Sequence, residues 1–461
     1  MNRVTNRTWL MGLFILILVG GMVFFLGEYW TDAHRWVSTP GSPHVYSNAN
    51  LDVGTITDRG GNLLLEMSSG RTYSESAATR KSTLHWLGDR EGKINAAAVS
   101  NYAGAMVGFD PINGIYNAEG GAGQTKLTIS ARVQNAALEA LRSRKGTVAV
   151  YNYKTGEILC AVTTPTYDPD NVPDIEGDTS GSWEGAYLNR FTQSTYTPGS
   201  IYKVVTTAAA LDCVEGIEDM TFTCTGTVEY GSGDNIATVT CEGRHGNLNL
   251  KTALAQSCNC AFAQIAELVG RKNMQQYVEA FQITQPVKFD GISTARGNYD
   301  IAGAGAASFA WSCIGQHSDT INPARFLAFM GAVASGGQGA TPYLVSEVTY
   351  GDEVTYSAET KPADRIMRET VAETLKTYLR NNVKNIYGDS RFPAIDICGK
   401  SGTSQVGGGE VSNALFAGFA LDERYPLAFV CVVENGGYGA TTCIPILSNV
   451  LWECMAVMDA K

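Results

Sequence analysis

The order of elements readable in the 461 residues predicts an α+β protein. Three observations carry that prediction. Two β-rich runs joined by a turn occupy GTVAVYNYKTGEILCAVTTP. A mostly helical, glycine-punctuated stretch follows from about residue 199 to 385. Three strand-like runs, DICGKSGTS, ALFAGFAL and PLAFVCVVENG, then precede a last helix. One five-stranded antiparallel sheet, with strands from both ends of the region and helices on both faces, satisfies all three. Ahead of it, residues 28–140 read as a mixed N-terminal pedestal, and residues 8–27 as one transmembrane helix.

The chain starts MNRVTNRTWLMGLFILILVGGMVFFLGEYW, with no charge from Trp9 to Gly27. Such a run is long enough to cross a bilayer as a helix. Arg3 and Arg7 precede it, and Glu28 and Asp32 follow. The positive flank predicts a short cytoplasmic tail, residues 1–7, with the bulk of the chain outside a single-pass anchor. A cleaved signal peptide is the rival reading; the bulky FFLGEYW offers no small-residue cleavage site. After a polar linker, VGTITDRGGNLLLEM reads as strand, turn and strand around Asp58–Gly61. Val133, Ala136, Leu138 and Leu141 fit a helix of about 14 residues. The second unit, 141–461, then opens with the hairpin GTVAVYNYKTGEILCAVTTP, with Lys154-Thr155-Gly156 at its turn. A closing helix is expected from about Pro445 to Met458.

Composition excludes some partners. Asp+Glu number 45 against 34 Lys+Arg, a formal net charge of -11, which argues against nucleic acid. Hydrophobic residues at 44% are ample for a packed core. There are 11 cysteines. Cys224 and Cys241 flank a hairpin-like TGTVEYGSGDNIATVT, so a disulfide between them is one expectation, contributing about 3 kcal/mol by loop entropy. His245 lies nearby, but the spacing matches no standard zinc pattern, and neither metal nor other cofactor is expected. Cys213, Cys313, Cys398, Cys431 and Cys454 sit in apolar surroundings, as buried free thiols do.

Three short segments carry chemistry. In TPGSIYKVVT, Pro198-Gly199 breaks the chain and starts a helix, with Ser200 in its first turn and Lys203 one turn on, on the same face. A serine hydroxyl is a poor nucleophile without a base beside it. A lysine is that base only when neutral, which burial or a second cation brings about. Alone, this spacing equally describes an ordinary capped helix. Ser257-Cys258-Asn259 interrupts an apolar helical stretch, ALAQSCNCAFAQIA, and makes sense as a turn between two helices. Ser257 would relay a proton to or from Lys203 there, and Asn259 would hold a substrate amide; a helix cap is the plain alternative. Lys400-Ser401-Gly402-Thr403 lies on a strand and offers a cation, two hydroxyls and a side-chain-free approach for an extended substrate. The N–H groups of Ser200 and Thr403 would form an oxyanion hole.

Ser-x-x-Lys, Ser-x-Asn and Lys-Ser-Gly in this chain order resemble the motif set of penicillin-binding proteins and serine β-lactamases. TPTYDPDNVP, LNRFTQSTYTPGSIYKVV and IGQHSDTINPARFLAFMGAVASGG also resemble segments of that family. The anchor and ITDRGGNLLLE resemble the start of its monofunctional, class B members. The resemblance implies the penicillin-binding transpeptidase fold and D,D-transpeptidation of peptidoglycan stem peptides. It makes Ser200 the acylated nucleophile, Lys203, Ser257, Asn259 and Lys400 catalytic companions, and Ser401, Gly402 and Thr403 binding residues for substrate or β-lactam. It also implies a membrane-embedded partner, a SEDS-type glycosyltransferase. Two positions depart from the pattern: Asn413, where many members carry a histidine or bulkier polar residue, and His317 after Gly-Gln. A D,D-carboxypeptidase, a β-lactam sensor and a β-lactamase share the core motifs and stand as alternatives.

Overall fold

The computed structural model describes residues 2–37, 39, 46–47, 50–67, 70–107, 112, 123–230, 236–405 and 411–460. Helix α1 spans Asn2–Val37. Within its stretch Arg7–Ala33, an 18-residue window has a mean hydropathy of 2.6 and no residue buried by the rest of the chain. At about 1.5 Å per residue it is long enough to cross a bilayer, and it extends past the expected anchor at both ends.

A six-stranded sheet follows, in the order 353–357, 345–350, 124–127, 54–57, 63–67, 71–73. The strands 54–57 and 124–127 are parallel; the other neighbours are antiparallel. Asp58 explains the expected turn. Its Oδ1 accepts from the N–H groups of Gly60 and Asn62, and its Oδ2 from Ala131 N–H, at 2.9, 2.8 and 3.0 Å. One carboxylate thus closes the turn and ties it to the start of helix α2, Ala131–Leu141.

The second sheet is the five-stranded antiparallel one. Strands β1 (Gly146–Asn152) and β2 (Ile158–Thr164) form the hairpin. Strands β3 (Ile397–Ser404), β4 (Asn413–Ala420) and β5 (Leu427–Val433) return late in the chain. Their order is β3-β4-β5-β1-β2, so β3, which carries Lys400, is an edge strand. Alternation assigns the two faces. Val148, Val150, Phe416 and Cys431 pack with α2 and with α8 (Gly439–Asp459). Ala149, Tyr151, Ala417 and Val430 face the helical side, which includes α3 (Lys203–Cys213), α4 (Leu250–Ala255), α5 (Asn259–Val269) and α6 (Pro323–Ala334). Helix α7, Glu369–Asn382, packs along β3.

Two expectations need correction and a third needs filling in. Helix α8 begins at Gly439, not near Pro445; proline lies inside it, because buried Cys443 and Ile444 already belong to the face that covers the sheet. The mostly helical stretch 199–385 also carries strands: small antiparallel pairs among 222–230, 237–248 and 288–293, and the strands 345–350 and 353–357 of the six-stranded sheet. The Cys224–Cys241 disulfide does not form, and both thiols are free. The Cys224 sulfur is turned to His245 and the Gly243 carbonyl, and that of Cys241 to His245 and Cys258.

Candidate active site

Local chain geometry brings the three segments together. Pro198 and Gly199 lead into one tight helical turn, Gly199–Tyr202, which runs straight into α3. Ser200 is therefore in the first turn and Lys203 directly below it. Gly199 has φ +55°, and its N–H donates to Gly315 O at 2.8 Å. A Cβ at Gly199 would sit 2.5 Å from Thr403 O, and one at Gly402 would sit 2.7 Å from Pro198 O. The two glycines let strand β3 lie against the nucleophile turn with no side chain between them.

Ser257 and Asn259 sit on the break between α4 and α5, as the residue types suggested. Ser257 has φ +54°, a left-handed conformation that costs a non-glycine residue roughly 1–3 kcal/mol. That conformation turns its carbonyl and its hydroxyl to one point. Lys203 Nζ donates to Ser257 O at 2.7 Å and to Asn259 Oδ1 at 2.7 Å, and lies 3.2 Å from Ser257 Oγ and 3.0 Å from Ser200 Oγ. Asn259 is held in turn, its amide donating to Thr240 O at 3.0 Å. Lys400 Nζ approaches from β3, donating to Ser257 Oγ at 3.0 Å and to Ser401 O at 2.9 Å. The Ser257 hydroxyl thus joins the two lysines.

Both lysine side chains are fully buried. Burial pushes the Lys203 amine down to about 7, and the Lys400 charge adds to the effect. Burial likewise pushes Lys400 down to about 7, while Glu242 opposes it. Two ammonium groups sharing one hydroxyl in a desolvated pocket disfavour double protonation. A neutral amine 3.0 Å from a serine oxygen is what proton removal from that serine requires.

The remaining predicted residues are on β3. Ser401 is half-buried, and its hydroxyl lies 3.0 Å from Tyr387 Oη, which also accepts from Ser401 N–H at 3.0 Å. Thr403 Oγ1 accepts from Gly439 N–H at 3.4 Å, and Thr403 O from the Gln316 amide at 3.4 Å. Asn413 is the first residue of β4; its Oδ1 accepts from Asn435 N–H at 3.0 Å, closing the chain after β5. His317 is exposed with φ +68°. Lys154-Thr155-Gly156, the same triplet type as Lys400-Ser401-Gly402, caps the β1–β2 hairpin far from the site, with Lys154 paired to Glu423.

Some contributors escaped sequence reading. Tyr387 and Gln316 reach β3 from separate elements; no local pattern marks Tyr387, whereas Gln316 stands in the quoted IGQHSDTINPAR run. Arg190 and Tyr196 stand in the quoted run before Ser200. Both meet Glu434 just after β5, at 2.8 and 2.9 Å, and so anchor that run to the sheet. Their place in LNRFTQSTYTPGS was the available signal.

The model of the penicillin binding protein transpeptidase domain matches residues 146–451. The chain belongs to that family. It is 27% identical over 338 residues to the peptidoglycan D,D-transpeptidase PbpA of Mycobacterium tuberculosis, covering 68% of each chain. It is 24% identical over 414 residues to the stage V sporulation protein D of Bacillus subtilis, covering 84% of this chain and 60% of that one. Among solved structures, the penicillin G acyl-enzyme complex of M. tuberculosis penicillin-binding protein A superposes with a TM-score of 0.72 at 23% identity, over 87% of this chain and 99% of that one. The D,D-transpeptidase domain of an Eggerthella lenta peptidoglycan glycosyltransferase gives 0.72 at 24%, over 89% and 99%. The α+β penicillin-binding fold expected from the motifs is the fold of this family member.

Proposed function

We propose that this penicillin-binding family member is a peptidoglycan D,D-transpeptidase, which cross-links stem peptides through a Ser200 acyl-enzyme and is acylated by β-lactams. The observation that carries this reading is the placement of a buried, readily deprotonated Lys203 amine among Ser200, Ser257 and Asn259. Neutral Lys203 takes the Ser200 proton as Oγ attacks the penultimate D-Ala carbonyl. The N–H groups of Ser200 and Thr403 receive the oxyanion; each such donor is typically worth ~2.7–4 kcal/mol. The proton passes through the Ser257 hydroxyl to the leaving nitrogen as the peptide C–N bond breaks. Terminal D-Ala departs, and an acyl ester remains on Ser200. A neighbouring stem's amine then attacks the ester, Lys203 takes its proton, and Ser200 recovers its own.

Lys400 and Thr403 bind the terminal carboxylate, Ser401 and Gly402 shape the strand edge that receives the extended peptide, and Asn259 holds a substrate amide. In a β-lactam the carbonyl is attacked in the same way, but the opened ring stays attached and blocks the acceptor. Helix α1 anchors the protein, and Arg3 and Arg7 favour a cytoplasmic tail of residues 1–7 with the catalytic region, 141–461, outside. Residues 28–140 would serve as the pedestal that holds it off the membrane, and a SEDS-type glycosyltransferase would supply nascent glycan strands beside α1.

The deciding assay offers the full chain a stem-peptide thioester and a D-amino acid acceptor. The aminolysis product is expected, and Ser200→Ala should abolish both it and labelling by fluorescent penicillin. Hydrolysis with no aminolysis product would favour a carboxypeptidase. Labelling that persists in Ser200→Ala would remove Ser200 from its role.

A further inference from the structure

On the far side of the Ser257–Asn259 turn, four sulfur and nitrogen ligands converge. Cys224 lies on the strand 222–224 and Cys241 ends the hairpin 227–240. His245 precedes the strand 246–248, and Cys258 is the residue between Ser257 and Asn259. One atom from each, three Sγ and the histidine ring nitrogen, lie within 4.8 Å of one another. His245 Nδ1 is 3.6 Å from Cys224 Sγ and 3.5 Å from Cys241 Sγ, and the sulfurs of Cys241 and Cys258 are 3.8 Å apart. Zinc–sulfur and zinc–nitrogen bonds of about 2.3 and 2.0–2.1 Å, set tetrahedrally, give edges of about 3.8 Å between sulfurs and about 3.6 Å from sulfur to nitrogen. The three separations just given match those edges, and the remaining pairs lie within 4.8 Å.

We propose that Cys224, Cys241, His245 and Cys258 form a structural Zn²⁺ site that clamps the strands 222–224, 237–240 and 246–248 onto the Ser257–Asn259 turn. Three sulfurs and one imidazole suit zinc, and four protein ligands with no open position suit a structural rather than a catalytic ion. The surroundings suit thiolates. Cys258 caps α5, an 11-residue helix, and its sulfur accepts from Ala261 N–H at 3.4 Å. The backbone N–H groups of Gly243, Asn259 and Cys260 lie against the Cys241 sulfur. On binding, the three thiols release their protons to solvent, the imidazole stays neutral, and no redox change occurs.

The clamp bears on the active site through two neighbours. Cys258 lies between the two residues that hold Lys203, and Thr240, beside Cys241, accepts the hydrogen bond that orients the Asn259 amide. Metal binding therefore holds the strained Ser257 turn and Asn259 in one position. This coupling rests on the proposed reaction; the metal site itself does not.

The test is metal analysis of the full chain, purified without chelator. About one zinc per chain is expected, falling more than tenfold in Cys224→Ser and His245→Ala. Cobalt exchanged into the wild-type chain should give a thiolate-to-cobalt charge-transfer band, a readout that needs no variant to fold. With zinc removed or in Cys224→Ser, penicillin acylation should slow about tenfold, as small displacements of catalytic groups do. Wild-type chain without zinc, whether its thiols titrate as free or its mass shows a disulfide, overturns the site. Stoichiometric iron in place of zinc overturns the assignment of the metal. Zinc bound with unchanged acylation after its removal overturns the coupling alone.

Discussion

The chain carries a lysine, a hydroxyl residue and a glycine in a row twice, and the two copies do different things. Lys154-Thr155-Gly156 turns the β1–β2 hairpin; its lysine is 44% exposed and pairs with Glu423 on the surface. Lys400-Ser401-Gly402 lies within β3, and its lysine is fully buried against Ser257. The letters are nearly the same and the sheet is the same. The difference is desolvation and company: a buried amine beside a second amine yields its proton near neutrality, whereas a surface amine with a carboxylate partner is an ordinary ion pair worth roughly 0–1 kcal/mol.

That contrast orders the variants. Lys203→Ala should slow acylation by penicillin about a thousandfold or more, with the domain still folded, because general-base assistance contributes about 10²–10⁴. Wild-type kinetics in that variant would mean another base. Lys400→Ala should cost about a hundredfold, mostly as weaker capture of the carboxylate, and a β-lactam ester lacking that carboxylate should show a much smaller difference between variant and wild type.

The same rule applies to a buried acid. Asp319 is fully buried, with Ser312 Oγ 3.0 Å from both carboxyl oxygens, and burial raises it to about 8. The folded state therefore holds a proton that the unfolded chain releases near 4, so stability is lost as pH rises from about 4 to 8. Asp319→Asn should raise stability by about 1–3 kcal/mol at pH 7.5, a gain that fades by pH 5; equal gains at both pH values would contradict a neutral Asp319. At the small end, Lys154→Ala should leave acylation within about twofold and stability within about 0.5 kcal/mol. A large loss there would erase the contrast between the two triplets.

Much of this was legible before any coordinates, for physical reasons. The strands β4 and β5 show almost unbroken apolar runs because both faces of the sheet are covered. Ser200 and Lys203 are readable because one helical turn fixes their proximity. Asp58 announces its turn because a short carboxylate caps nearby N–H groups. The unread parts are non-local. Strand 345–350 joins 124–127 across more than two hundred residues, and nothing near either announces the partner. Helix α8 was placed too late because Gly439, Ala440, Thr441 and Thr442 look like loop, while the sheet behind them stabilises the first turn. In the sequence the cysteine–histidine cluster shows only three members, Cys224, Cys241 and His245, at a spacing unlike standard zinc patterns. Its fourth member, Cys258, was hidden inside the Ser-x-Asn motif, and only the tertiary fold brings it to the others.

The claim beneath all of this is that a buried lysine at position 203 is neutral enough at physiological pH to activate Ser200. The direct measurement is the second-order rate of penicillin acylation of the full chain from pH 5 to 9, which reports groups of the free enzyme. The account predicts a rate that rises about tenfold per unit on the acid side and turns over near pH 7. A flat profile across that range, or a rise that continues to pH 9 without turning over, would contradict it.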